Sequence, residues 1–139
     1  SWSMDVRFVA GFSPIVTETE DARRFYGEKM SLPLKIEPGS DYTEIDVPGL
    51  KHFGLWTLRD ASQSTFGTPE WPADVPRPQA TLELEVDDVD AAVSELRDKG
   101  VELLQETRIE PWGQTTARLL SPEGLLIGIT YTPALREAE

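Results

Sequence analysis

The sequence predicts an α+β fold made of two βαβββ modules that pack together. Three observations carry that prediction. Short apolar, β-prone runs surround two stretches with helical periodicity. The helical stretches and the residues leading into them match: Val16-Thr17-Glu18-Thr19-Glu20-Asp21-Ala22 lies over Val86-Asp87-Asp88-Val89-Asp90-Ala91-Ala92. A proline-dense segment separates the two halves. An internal repeat constrains a fold more than any single element does. Each half is too small to hide its own sheet face.

The first strand is read over Phe8 to Val16, where Pro14 suggests an edge or a bulge. A helix follows over TETEDARRFYGEKM, capped by Thr17 or Thr19, with Ala22, Phe25, Tyr26 and Met30 as its buried face. Three short strands are read at Leu34 to Glu37, Tyr42 to Val47 and Phe53 to Leu58, separated by Pro38-Gly39 and Pro48-Gly49 turns. Asp60 to Pro78 holds Pro69, Pro72, Pro76 and Pro78, a density that breaks helices and central strands, so it reads as a linker or long crossover. The pattern then restarts. Ala80 to Val86 is a strand. DDVDAAVSELRDKG is a helix capped by Asp87 or Asp88 and stopped by Gly100, with Val89, Ala92, Val93 and Leu96 on one face. Strands at Val101 to Arg108, Thr115 to Leu120 and Leu125 to Tyr131 complete the second module. The organisation is therefore a first module over 4–64, a linker over 65–78, a second module over 79–132 and a polar, frayed tail over 133–139. Ser1-Trp2-Ser3 ahead of Met4 reads as a cloning scar.

Composition bounds the function classes. A formal net charge of −12 disfavours nucleic acid and anionic membranes as partners and favours a neutral or cationic one. With no cysteine there are no disulfides, thiolate nucleophiles or cysteine metal sites. No apolar run approaches the ~20 residues of a membrane span, and no signal peptide is visible. A cytoplasmic protein is expected. There is no GxSxG elbow, no Walker loop and no GxGxxG. The Asp87-Asp88 pair sits where helix capping explains it.

ARRFYGEKMSLPL in the first half, LELEVDDVDAAVSELRDKGVELL in the second, and the closing EPWGQTTARLLSPEGLLIGI carry a likeness that spans nearly the whole chain. A duplicated βαβββ unit with these segments resembles the vicinal oxygen chelate superfamily. That group holds glyoxalases, extradiol dioxygenases, epimerases, fosfomycin-inactivating enzymes and bleomycin-resistance binding proteins. The resemblance implies a curved, cup-like mixed sheet (the glyoxalase/bleomycin-resistance/dioxygenase fold) and a homodimer. It also implies four metal-ligand positions, on the first and last strand of each module. Carried over one at a time, these fall at Gly11, near Gly54, at Thr81 and at Gly128, where LLIGI stands in place of a motif like NLIEL. Three glycines and a threonine cannot anchor a catalytic cation. The gap in the last strand reads as a lost ligand, with a bulge as the plain alternative.

Strand alternation then puts His52 and Trp56 on the face of Gly54, Ser13 on the face of Gly11, and Glu83 on the face of Thr81. His52 is the one histidine, so a three-histidine site is impossible. The expected ligand-binding set is Trp56, Trp112, His52, Glu83 and Ser13, with Gly11, Gly54, Thr81 and Gly128 making room. Catalytic residues, metal and cofactor are expected to be absent. The function implied is a metal-free protein that sequesters a hydrophobic or cationic small molecule such as an antibiotic. The alternative is a metal-dependent lyase, isomerase or dioxygenase of the same superfamily, its metal site displaced to residues such as His52, Glu44, Glu83 or Glu85, or an enzyme using metal-free acid–base chemistry. A third possibility is an interaction module, which a large exposed apolar patch would favour.

Overall fold

A computed structural model of the chain describes residues 4–136. The expected cloning scar and the last residues of the tail lie outside them. Strand β1 (Phe8–Val16) and strand β5 (Ala80–Glu85) form the centre of one eight-stranded mixed sheet. Around β1 lie β4 (Gly54–Thr57), β3 (Thr43–Ile45) and β2 (Leu34–Ile36). Around β5 lie β8 (Leu126–Tyr131), β7 (Thr115–Leu120) and β6 (Gln105–Ile109), so the order is β2-β3-β4-β1-β5-β8-β7-β6. Each module pairs its first strand in parallel with its last, and the modules join through the antiparallel β1–β5 seam.

The seam carries a two-fold relation. Gly11 faces Glu83 and Ser13 faces Thr81. Exchanging the strands carries Gly11 onto Thr81 and Ser13 onto Glu83, which is the alignment read from the repeat. Gly54 and Gly128 correspond in the same way. Glu83 is in register with Gly128, and the Phe12–Phe53 bridge sets Ser13 beside Gly54.

One face of the second module is closed by α3 (Val89–Asp98), whose Val89, Ala92 and Val93 pack on Ala117, Leu119 and Ile129. Asp88 caps it, accepting from the Ala91 amide at 3.0 Å, and Gly100 leaves it at φ +84°. Alternation turns Glu83, Gly128 and Arg118 to the other face.

Several local expectations fail for identifiable reasons. The first helix is short, α1 (Thr19–Arg23), and widens into a π-helical stretch over Arg24–Lys29. Neither Thr17 nor Thr19 caps it; Glu18 holds the cap position with no side-chain bond. The wider turn changes the angular spacing, so Phe25 (49% exposed) and Met30 (55%) face outward instead of forming a buried face. Pro14 lies in a central strand, and the bulge falls between Val9 and Gly11. Pro14 pairs with Ala80 at the very start of β5, where a missing amide disturbs the ladder least. The expected linker begins with a helix, α2 (Leu58–Phe66). The Thr57 hydroxyl caps it by accepting from the Asp60 amide at 3.0 Å, and Gly67 ends it at φ +77°. Beyond it Trp71 is buried edge-to-face on Phe66, in a cluster that includes Ala61, Leu126 and Trp56. The tail is not frayed up to Arg136: Pro133–Arg136 form a short helix, α4.

Candidate functional site

The sheet curves around a cavity of about 680 Å³. Its floor holds Gly11 on β1 and Glu83 on β5, and the same register row runs on through Gly128 on β8 to Arg118 on β7. Glu83 therefore has a glycine on each side. An alanine methyl at Gly128 would stand 3.3 Å from Glu83 Cγ, and one at Gly11 would stand 3.5 Å from Glu83 Oε1. The hole in the last strand is filled by the flank of Glu83.

Seven of the expected residues line this one cavity: Gly11, Ser13, His52, Trp56, Thr81, Glu83 and Trp112. Gly54 and Gly128 do not. The space over Gly54 is taken by the phenol of Tyr42, and a methyl there would also meet the Thr43 carbonyl oxygen at 2.7 Å. These two glycines seat neighbouring side chains and do not widen the cavity.

Sequence reasoning missed the residues that organise the polar end. Gln114, 4% exposed, donates to Glu83 Oε1 at 3.2 Å and to the Thr132 hydroxyl at 2.9 Å, and accepts from Trp112 Nε1 at 2.9 Å. It ties the rim tryptophan to the floor carboxylate. Tyr42 is hydrogen-bonded through Oη to His52 Nε2, and the two rings stack with centroids 5.6 Å apart. Burial above all pushes the Tyr42 phenol up to about 12; the Glu83 and Glu44 carboxylates add to the rise and a hydrogen bond from Ser13 opposes it. Tyr42 is thus a neutral phenol around neutral pH. Asp60, Gln63 and Ser64 of α2 and Ala134 and Leu135 of α4 supply further wall. The tail is fixed there by Arg136, which donates to Glu85 Oε2 at 3.1 Å and Asp87 Oδ1 at 2.8 Å, with its guanidinium over Tyr131.

Behind the floor row is a buried polar network. Glu110 and Arg118 side chains are both 0% exposed and pair at 2.8 Å. Glu110 Oε1 also accepts from Thr116 Oγ1 at 2.8 Å, and Arg108 reaches Oε2 at 3.2 Å. Burial alone would raise the Glu110 carboxyl, but Arg118, Thr116 and Arg108 together hold it below the usual range.

The cavity residues do not fit a divalent cation. Gly11, Gly54 and Gly128 offer no side-chain donor, and the Thr81 hydroxyl is spent on the Leu126 carbonyl at 2.8 Å. Of the displaced set, Glu44 is exposed and Glu85 is committed to Thr130, Thr132 and Arg136. Among the described residues, no group of three His, Cys, Asp or Glu side chains is placed to hold a metal ion. Nor does any described helix have the length and apolarity to cross a membrane.

Residues 10–132 match the family model described as a glyoxalase-like domain. No curated protein matches. Among solved structures, the methylmalonyl-CoA epimerase of Mycobacterium tuberculosis is 22% identical, with a TM-score of 0.61, over 99% of this chain and 96% of that one. A glyoxalase/bleomycin resistance protein/dioxygenase superfamily member from Vibrio splendidus 12B01 is 12% identical, with a TM-score of 0.57, over 94% of this chain and 100% of that one. The Streptomyces coelicolor methylmalonyl-CoA epimerase, in complex with 2-nitronate-propionyl-CoA, is 16% identical with a TM-score of 0.54, over 94% of this chain and 97% of that one. At these identities the likeness is one of fold.

Proposed function

The chain belongs to the glyoxalase-like domain family, and from that premise we propose that its cavity binds a small organic molecule without a metal ion and sequesters it. The observation that supports this reading most is the floor. Where the superfamily's metal ligands would converge, this chain has glycines and an engaged threonine, with a single carboxylate, Glu83, laid between two of the glycines. What surrounds it is chemistry for holding a guest. Trp56 and Trp112 offer aromatic surface, and Tyr42, His52, Ser13 and Gln114 offer a few placed hydrogen-bonding groups. The lining carries two acidic side chains, Glu83 and Asp60, and no lysine or arginine, which suits a hydrophobic or cationic compound of the kind a drug-resistance protein removes from its target.

Native mass spectrometry of the purified protein tests this directly, since it reports carried metal, carried ligand and subunit count together. A metal-free mass, followed by quenching of tryptophan fluorescence by hydrophobic amines, is the expected result. A stoichiometric divalent metal overturns the reading. A second reading, metal-independent acid–base catalysis, draws on the placement of Glu83 across Gly11 from the Tyr42–His52 pair. It requires turnover that survives EDTA and disappears in Glu83→Gln.

A further inference from the structure

Arg118 is the largest fully buried side chain among the described residues, 0% exposed, yet it does not line the cavity. Its Nη1 donates to Gln105 Oε1 and to Glu110 Oε1. Its Nε and Nη2, which form the other edge of the guanidinium fork, are buried with no hydrogen-bond partner. The group is nevertheless not abandoned there. The guanidinium carbon lies 5.2 Å from the centre of the Trp56 ring, which comes from β4 on the opposite side of the sheet and crosses the cup to meet it. Trp56 is also a cavity wall.

A buried ion pair is a poor device for stability, because apolar residues of similar volume hold a core as well or better. It is a good device for fixing geometry. One end of the Arg118 fork is bolted to Glu110, which Thr116, Gln105 and Arg108 hold in turn. The other edge makes no hydrogen bond; the Trp56 ring lies against the guanidinium, and the Glu83 carboxylate acts on it through charge alone. A tryptophan lying on apolar neighbours alone could rock about its side-chain torsions. Seated on a fixed cation it has one preferred plane.

We infer that Arg118 is a positioning residue for Trp56: it holds the indole as a flat wall and so tunes the cavity for a planar aromatic guest that Arg118 never touches. The ligand part of this inference rests on the binding reading above; the seating of Trp56 does not.

The test uses the full chain labelled with fluorotryptophan, with the Trp56 fluorine resonance assigned by Trp56→Phe. The variant is Arg118→Met combined with Glu110→Gln, which removes both charges and strands neither. The probe is N-phenyl-naphthylamine, neutral and aromatic. Two results are expected: the Trp56 resonance shifts and broadens while the other tryptophans keep their lines, and probe affinity falls at least about tenfold. In a Trp56→Leu background, which removes the ring Arg118 seats, the same pair of substitutions should leave probe affinity unchanged. An unshifted, sharp Trp56 line overturns the inference. If the parent protein binds no probe while the Trp56 line still responds, the binding reading fails and the seating of Trp56 stands. Should the double variant not fold, Arg118→Lys gives the same readouts with the charge kept and the planar fork lost. It should also displace the Trp56 line, and an unmoved line there overturns the inference.

Discussion

Alanine at Gly54 and alanine at Gly128 will have different effects, although the two glycines occupy equivalent places in the repeat. At Gly54 the new methyl would come within 2.7 Å of the Thr43 carbonyl oxygen and 2.7 Å of the Tyr42 ring. The first is backbone of the paired strand and cannot swing away; the second is held by His52. Overpacking of this kind costs ~1–3 kcal/mol. Removing the glycine returns about 0.5–1 kcal/mol of backbone entropy, so a net loss of ~1–2 kcal/mol is expected. At Gly128 the nearest atoms are Glu83 Cγ at 3.3 Å and Thr130 Cγ2 at 3.4 Å. Glu83 holds one carboxylate oxygen through Gln114 while its other oxygen makes no hydrogen bond among the described residues, so the side chain can yield a few tenths of an ångström. The entropy gain then offsets the crowding, and Gly128→Ala should lie within ~0.5 kcal/mol of the parent. Denaturant titration gives both values from the shift in midpoint at constant slope, and thermal unfolding should separate the variants by roughly 3–8 °C. The reasoning is refuted if Gly54→Ala is as stable as the parent, or if Gly128→Ala loses more than about 2 kcal/mol.

Further outcomes follow from the buried network and the tail. Glu110→Ala strands the Arg118 charge in the interior and should cost ~3–5 kcal/mol, whereas Glu110→Gln with Arg118→Met should cost far less, a non-additivity that a double-mutant cycle will read. Because the folded Glu110 carboxyl lies below its unfolded value of about 4.3, its contribution to stability is complete above that pH and is lost as pH falls through the folded value; denaturation midpoints measured down to about pH 3 should drop less steeply in Glu110→Gln. Arg136→Ala removes a charged hydrogen bond to the buried Glu85 and should cost ~1–3 kcal/mol, with faster amide exchange at Ala134 and Leu135.

Repetition made the fold legible. Two aligned helix entries set the equivalence of Gly11 with Thr81, and the β1–β5 register obeys it. Period-two alternation did the rest, turning His52, Trp56, Ser13 and Glu83 to one cavity. Helix α2 was hidden because its buried side chains are Ala61, Ser62, Ser64 and Thr65, which make no apolar stripe. Its signals were the Thr57 cap and Gly67. The prolines that suggested a linker begin only after it has ended. Tyr42 and Gln114 were invisible for another reason: their importance lies in partners far away in sequence, such as Glu83 for Gln114. The outward turn of Phe25 and Met30 reflects a wider helical turn that no apolar spacing announces.

The seam between the modules also has a consequence for folding. Residues from both halves line the one cavity, with α4 adding a wall from the chain's end. A guest seated there touches the two halves at once and acts as a staple across their boundary. On the proposed reading it would bind the assembled chain, whose two halves together line the cavity. Occupancy at about a hundred times the dissociation constant then adds ~2.7 kcal/mol to the folded state. Partial opening along β1–β5 should be suppressed before global unfolding is. On the proposed binding reading, the guest would also be a component of the protein's cohesion, and a cell that supplied it would hold more of the protein intact.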